Sequence, residues 1–570
     1  MTIIDIFTIL LFIILLGASL IQTYFKEKNN KNIQKNDVES KIDNFCNKNY
    51  KVIWVIFITI LLITVIYKFG KLPTYIGIDE AGMAYDSMAI ADYGVDRYLN
   101  SYPLYLTNFG SGQSVLCGYM AALFIKLIGV NAIAYRLPVL IIYLIGTISS
   151  YLFISNSKDK KNALLFTFLI ITCPWNIMNA RQALDCNLFG GMLMLNLFLM
   201  DRAKKNYQYI LAGISVGITL YTYVLTWITM PIFLAVWIIY MLYIKQINFK
   251  QIVLFGIPIA ILAVPLIYFL LLNYGIVNQT QIGIFSLPIL SEFRGEQIAI
   301  SNIWKEGLGN LKTIFLSEKT IYPLYVPLFI IGYIISLKDT VLAIKRKEYT
   351  TTAIMTITFT TILFGLSLVR IPTPNKANAL YIPILYFVAM AILEICKNSK
   401  ALLVASLIIV TILFIDFEYK YYTEYAYVPN SVWYEDNDLG ELSKKLEQNE
   451  KTRDIEKHIM VYKTSPYIYQ MLANEVSPYD YAKTVERKQY GIVTETTKVQ
   501  EYYYYSYFYN KQEFLDKNFE NKEVIIIVSK ILGEIANKIE EKGYTKYRYK
   551  DLYVFVNQNS NLQLEELLVY

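Results

Sequence analysis

Two adjacent carboxylates, Asp79 and Glu80, stand near the start of the stretch TYIGIDEAGMAYDSMAIADYG (74–94), just after an apolar run of membrane length. A carboxylate can take a proton from a hydroxyl, and clustered oxygens can hold a divalent cation. The pair also has a structural use, because acidic residues at a helix N-terminus satisfy free N–H groups and favour the dipole. Asp86 follows seven residues later, on nearly the same helical face as Asp79. A further acid, Asp185, lies in NARQALDCNLF (179–189), at a turn between two apolar runs and four residues after Arg181. Ionisable groups at a membrane helix end are candidates for function. An Arg181–Asp185 ion pair, or Asp185 as an N-cap, is the structural alternative. Arg136 in AYRLP (134–138) could bind an anion or reach for the interface. Arg370 and Lys376, in VRIPTPNKANALYIP (369–383), could grip a lipid phosphate or anchor a span.

Other chemistries find little support. His458 is the single histidine, and the five cysteines (Cys46, Cys117, Cys173, Cys186, Cys396) are scattered with no CxxC. Neither a Ser-His-Asp triad in the membrane, nor a zinc site, nor a disulfide framework is suggested. Carboxylates, hydroxyls and cations must carry any reaction. The tract EYYYYSYFYNK (501–511) could stack on glycans, but a strand or a surface resting on the membrane is the reading preferred here.

The elements that position these residues are membrane spans. Of 570 residues, 55% are hydrophobic and 17% charged, and the mean hydropathy is +0.37, which describes a polytopic membrane protein. Apolar runs long enough to cross a bilayer, roughly 17–20 residues, fall near 3–21, 52–69, 132–154, 162–179, 186–201, 208–225, 227–244, 251–272, 321–337, 350–369, 378–396 and 401–416. The first has no basic region before it and reads as an uncleaved anchor. Loop 22–51 carries seven lysines against four acids. It is expected in the cytoplasm, with SNSKDKKN, DRAKKN, KQINFK, KDTVLAIKRK and CKNSK. Residues 70–131, 180–185, 273–320, 370–377 and everything after 417 then face outward. That requires SVLCGYMAALFIKLIG (114–129), short and holding Lys126, to be interfacial or re-entrant. Loop 70–131 would hold two membrane-hugging helices, near 80–93 and 114–128.

Three units follow. Residues 1–51 are an anchor span with a basic cytoplasmic loop, and 52–416 form a transmembrane catalytic domain. Residues 417–570 form a small extracytoplasmic α+β domain, with strands at HIMVYKT, EVIIIVSK and DLYVFVN and helices at SPYIYQMLANE and ILGEIANKIEEKG. The fold class is an all-α polytopic membrane protein of about twelve spans, with juxtamembrane helices on its outer face and that C-terminal domain.

The order of these pieces resembles the GT-C superfamily of polyprenyl-phosphate-sugar-dependent glycosyltransferases. The protein O-mannosyltransferases (glycosyltransferase family 39) and the lipid A aminoarabinose transferase group are the nearest likenesses. The residues that carry it are DEAGMAYDSMAIA (79–91), GVNAIAYRLP (129–138) and NARQALDCN (179–187). Residues 370–383 are similar in placement and prolines to the families' RYLLPLLP stretch. The resemblance implies Asp79 as the catalytic carboxylate, with Glu80 beside it and Asp185 facing the same cavity. One departure stands out: where aminoarabinose transferases carry EKPP, this chain has LTNFGSGQSV (106–115), without the loop lysine.

The expected reaction moves a sugar from a polyprenyl phosphate to an acceptor hydroxyl outside the membrane. The phosphate leaving group needs cations to meet its charge, and Arg370, Lys376, Arg136 and Arg181 are the candidates. The acceptor needs one base, Asp79. In-line displacement inverts the anomeric carbon. No cofactor is required; Asp79 and Glu80 could hold Mg²⁺ or Mn²⁺. The partners would be the lipid-linked donor, a protein, lipid or cell-envelope glycan acceptor, and membrane lipid, with no nucleic acid. Two other classes are open: a transporter or flippase of lipid-linked glycans, which would show duplicated halves with interrupted helices, and a non-catalytic membrane receptor.

Overall fold

The computed structural model describes residues 4–558 except 15–16, 18–35, 156–159, 292, 294–301, 318, 370–372, 398, 429–433, 437, 463–465, 491–492 and 518–522, together with Leu564. Helices α1 (Ile4–Ile14) and α2 (Asn36–Ile66) lead to a short strand β1 (Tyr75–Gly77), α3 (Ile78–Tyr93), the hairpin β2 (Leu106–Asn108) and β3 (Ser111–Gln113), and α4 (Val115–Ile128). Next come α5 (Ala132–Ser155), α6 (Lys160–Ile171), α7 (Pro174–Asn179), a 3-10 turn at Asp185–Leu188, α8 (Phe189–Arg202), α9 (Asn206–Thr219), α10 (Thr226–Tyr243) and α11 (Phe249–Asn273). A small hairpin, β4 (Gln281–Ile282) and β5 (Phe285–Ser286), precedes α12 (Ile303–Leu316), α13 (Tyr325–Arg346), α14 (Thr351–Ser367), α15 (Asn378–Cys396) and α16 (Lys400–Lys420).

Among the described residues, seven helices are long and apolar enough to cross a membrane: α5, α10, α11, α13, α15, the Lys41–Ile66 part of α2, and α16 with its extension to Tyr425. The sequence reading expects more, and the difference has local causes. The run 162–179 is not one helix, because Pro174 follows Cys173 and starts α7, and a residue before proline is driven out of helical geometry. Helices α8 and α9 have 14 residues each, about 21 Å at 1.5 Å per residue. Between helices, small residues let backbones touch where lipid removes the hydrophobic drive. A Cβ on Gly191 of α8 would stand 2.5 Å from the Ile142 carbonyl oxygen of α5, and one on Gly332 of α13 would stand 1.8 Å from that of Phe387 in α15.

The two helices expected to hug the membrane do form, at α3 and α4. Helix α4 exposes Leu123, Leu127 and Ile128 along one side. Helix α3 departs from its expectation: instead of lying on a surface it is buried along most of its length. Its Ala81, Tyr85 and Met88 share one core with Ala121 of α4 and with Ile468 and Met471 of the C-terminal domain.

That domain contains β6 (Tyr434–Asp436), α17 (Asp438–Gln448), β7 (Glu456–Val461), α18 (Tyr467–Ala473), α19 (Pro478–Thr484), β8 (Glu486–Tyr490), β9 (Val493–Val499), β10 (Tyr502–Ser506), α20 (Lys511–Leu515), β11 (Val524–Ser529), α21 (Gly533–Glu541), β12 (Tyr544–Tyr549) and β13 (Leu552–Asn557). Seven strands form one sheet in the order β12-β13-β11-β7-β10-β9-β8. The three strands and two helices read from sequence appear as β7, β11, β13, α18 and α21. Within the tyrosine tract, β10 points Tyr502 and Tyr504 into one core and Tyr505 into the other, as period-two alternation requires.

The domain is stitched to the spans beside Asp79. Strand β1 pairs antiparallel with β6, Tyr75 opposite Asp436, and the Tyr85 hydroxyl donates to the Val476 carbonyl at 2.7 Å.

Candidate active site

Glu80 and Asp79 are neighbours in sequence with opposite environments. Glu80 is fully buried. Its Oε1 accepts from Arg136 Nε at 2.7 Å and from the Ala183 N–H at 3.1 Å. Arg136 also donates to the carbonyls of Pro73 (3.1 Å) and Tyr75 (3.2 Å). One ion pair thus ties the approach to α3, the start of α5 and the turn before Asp185. Arg181 is equally buried: its Nη2 donates to the carbonyls of Thr64 and Tyr67, both at 2.7 Å, and to the Tyr422 hydroxyl at 2.8 Å. Carbonyls at a helix end lack intrahelical partners, and Arg181 satisfies them at the end of α2. Arg136 and Arg181, expected to bind the donor phosphate, are therefore placed as fasteners within the protein. The alternative Arg181–Asp185 pair does not form either.

Asp79 is exposed, at the wall of a large cavity. The loop LTNFGSGQSV, which departs from the aminoarabinose transferase pattern, surrounds it. Asn108 Nδ2 donates to Asp79 Oδ1 at 2.8 Å, and Gln113 Nε2 donates to the Asp79 carbonyl at 3.1 Å. Both acceptors lack protons to donate, so chemistry sets the orientation of these two amides. The next residue, Ser114, gives its N–H to Asp185 Oδ2 at 2.9 Å, while Asp185 Oδ1 accepts from the Cys186 N–H at 2.7 Å. Hairpin β2–β3 therefore holds both acids. Burial pushes the Asp185 carboxyl up to about 7, against the pull of those two N–H groups, and the Asp79 charge adds to the rise.

A second buried pair supports the hairpin from behind. Asp86 binds Arg97 through Oδ1–Nε (2.9 Å) and Oδ2–Nη2 (2.7 Å), and Nη2 also donates to the Gly82 carbonyl at 2.6 Å. Gly82 must be small: a Cβ there would lie 2.5 Å from Asn108 Oδ1 and 2.7 Å from Arg97 Nη2.

The cavity encloses about 2050 Å³ and is bordered by Asp79, Asn108, Gln113 and Asp185. One limb is apolar, formed by Tyr105, Trp227, Phe269, Leu290 and Phe293. Lys376, Lys319 and Trp175 also border the cavity. Trp175 Nε1 donates to Asn378 Oδ1 at 2.6 Å, two residues after Lys376, and its N–H donates to the Thr320 carbonyl, one residue after Lys319. Asn378 continues to Asn179 and Asn187, on the turn that carries Asp185. Another wall comes from the C-terminal domain and includes Tyr467, Arg487, Gln489, Thr494 and Thr496. Arg370 lies outside the described residues.

Among the described residues no group of three or more His, Cys, Asp or Glu side chains could hold a metal. Of the pair Asp79 and Glu80, Glu80 is hydrogen-bonded to Arg136 and Ala183. His458 is buried in the C-terminal sheet, its Nδ1 3.1 Å from the Tyr505 hydroxyl. Asn108, Gln113, Lys319 and Arg487 are not singled out by the sequence reading. The polar Asn/Gly/Ser/Gln loop at 106–115 was the visible signal for the first two; nothing local marks the others.

Spans surround an acidic helix start, a hairpin clasps two carboxylates and the C-terminal domain closes the cavity, an arrangement that makes up an ArnT-like fold. This chain is similar over 89% of its length to the crystal structure of ArnT from Cupriavidus metallidurans bound to undecaprenyl phosphate, with TM-score 0.53, 12% identity and 98% of that chain covered. ArnT in its apo state matches with TM-score 0.52 and 9% identity, covering 90% and 98% of the two chains. Oligosaccharyltransferase AglB from Archaeoglobus fulgidus, in complex with an inhibitory peptide and a dolichol-phosphate, has TM-score 0.47 and 12% identity, over 90% and 75%. No family model and no curated protein matches the chain. The fold and the apolar helices together describe a multi-pass membrane protein.

Proposed function

We propose that this chain is an integral membrane glycosyltransferase that moves a sugar from a polyprenyl phosphate to an acceptor hydroxyl, with inversion at the anomeric carbon. The observation that carries the reading is Asp79, an exposed carboxylate at a cavity that also offers an apolar limb and two lysines. The apolar limb suits a polyprenyl chain, and the ArnT structure bound to undecaprenyl phosphate supports that use.

Asp79, steadied through Oδ1 by Asn108, takes the acceptor's proton. The acceptor oxygen forms its bond to the anomeric carbon as the bond to the phosphate oxygen breaks. The bonding pair leaves with the phosphate, where Lys376 and Lys319, with Arg370, meet the growing charge. Asp185 and Glu80 play no part in proton transfer: Asp185 fixes the acceptor side through Ser114, and Glu80 fixes the start of α3. Reaction on the outer face of the membrane follows from the lysine distribution of the loops.

Membranes carrying the full chain, given a panel of labelled polyprenyl-phosphate sugars, should release polyprenyl phosphate from at least one donor. No release from any donor would overturn the reading.

A further inference from the structure

We infer that the β8–β9 hairpin forms an acceptor subsite, and that the acceptor is a saccharide bearing an anionic group beside its hydroxyls. The inference rests on the glycosyl-transfer reading above and adds the class of acceptor.

The register of the hairpin sets Arg487 opposite Thr496 and Gln489 opposite Thr494. Alternation along a strand puts these four polar side chains on one face, and all four border the cavity. Glu495 also borders it but belongs to the other face, opposite Lys488.

Arg487 is the distinctive member. Its guanidinium lies 5.6 Å from the ring centroids of both Tyr98 and Tyr481 and donates to the Tyr481 hydroxyl at 3.2 Å. Aromatic rings orient a guanidinium without neutralising it. Arg136 and Arg97, near the same site, are each bound to a carboxylate at 2.7 Å. Among the described residues no carboxylate pairs with Arg487. An oriented guanidinium fork facing a cavity is matched by a carboxylate or a phosphate.

Position assigns this group to the acceptor. A chain of contacts runs from Asp79 to Asn108, then from Phe109 to Tyr467 with ring centroids 6.3 Å apart, from Tyr467 to Tyr481 at 6.1 Å, and on to Arg487. Lys319 and Lys376 border the same cavity but are not part of this chain of contacts, and Lys319 lies 3.9 Å from the Tyr425 ring centroid. Arg487 enters the cavity lining from the C-terminal hairpin, and the two lysines enter it from the links before α13 and α15. Tyr98 and Tyr509, both half-buried, border the cavity and offer amphipathic rings on which the C–H faces of a sugar can pack.

The test uses the full chain in lipid nanodiscs and four probes. Three are oligosaccharides of equal length: neutral, uronate-bearing and phosphorylated. The fourth is undecaprenyl phosphate. At least one anionic oligosaccharide should bind about tenfold tighter than the neutral one, as a charge-assisted fork requires, and the arm that does so separates carboxylate from phosphate. Arg487→Gln should abolish that preference and leave undecaprenyl phosphate binding within about twofold, while Arg487→Lys keeps part of it. Equal binding of neutral and anionic oligosaccharides to the wild type would overturn the proposal, as would parallel loss of undecaprenyl phosphate in Arg487→Gln. Failure of the glycosyl-transfer reading shows separately, as a wild type that does not bind undecaprenyl phosphate.

Discussion

At the scale of single residues, Asp185 carries a testable pH signature. Burial raises its carboxyl from 3.8 to about 7. Between about pH 4, where it ionises in the unfolded chain, and its folded value, the folded chain holds a proton that the unfolded chain has lost. Its contribution to stability is therefore full below that window and lost as pH rises through about 7. Unfolding midpoints of Asp185→Asn, measured from pH 4 to 8, should fall less steeply than those of wild type; parallel curves would contradict the assignment. Glu80 and Arg136 make a second case. Glu80→Gln alone leaves a buried guanidinium without its charge partner, a loss of about 3–5 kcal/mol. Replacing both with apolar residues should cost less than the sum of the single changes in a double-mutant cycle, and additive losses would refute the coupling. Asp79, Glu80 and Asp185 were legible in the sequence because acids are rare beside apolar runs. The partners of Arg136 and Arg181 were not, since a charge in sequence does not say whether it faces a cavity or a helix end. Asn108 escaped because an amide is an ordinary loop residue until it is seen against a carboxylate.

At the scale of elements, the hairpin β2–β3 is the part that turns two separated acids into one site. Gly82 permits it to seat. Gly82→Ala should push Asn108 and Arg97 away from α3 and lower transfer by at least about tenfold, as small misplacements of reacting groups do. The membrane bundle should stay folded, as judged by its elution and thermal unfolding; unchanged transfer would show that the hairpin does not position Asp79. Helix placement was largely readable: α5, α10, α11 and α15 lie within a few residues of the expected runs. Hydropathy could not place the break at Pro174 or the burial of α3. The first depends on one backbone restriction inside an apolar run. The second depends on α18, nearly 400 residues away in the chain, whose packing leaves no periodic trace in α3.

At the scale of the whole molecule, the C-terminal domain and the membrane bundle form one working unit. Strand β1, two residues before Asp79, is paired with β6, and α3 shares its core with α18. Truncation after Tyr427 should therefore abolish transfer even when the remaining chain inserts in the membrane; substantial activity in the truncated chain would contradict this coupling. An α+β C-terminal domain was readable from its strand and helix signals, but not its placement over the cavity, because Arg487 comes from a strand unmarked by any motif. The central claim is that Asp79 takes the acceptor's proton, and its most direct measurement compares wild type with Asp79→Asn in release of polyprenyl phosphate from the donor that the wild type uses. The substitution keeps the size of the side chain and removes the base. Release should fall by at least about a hundredfold, the scale of a lost general base, with membrane insertion and thermal unfolding unchanged. Near-wild-type release from a folded Asp79→Asn chain would contradict the account.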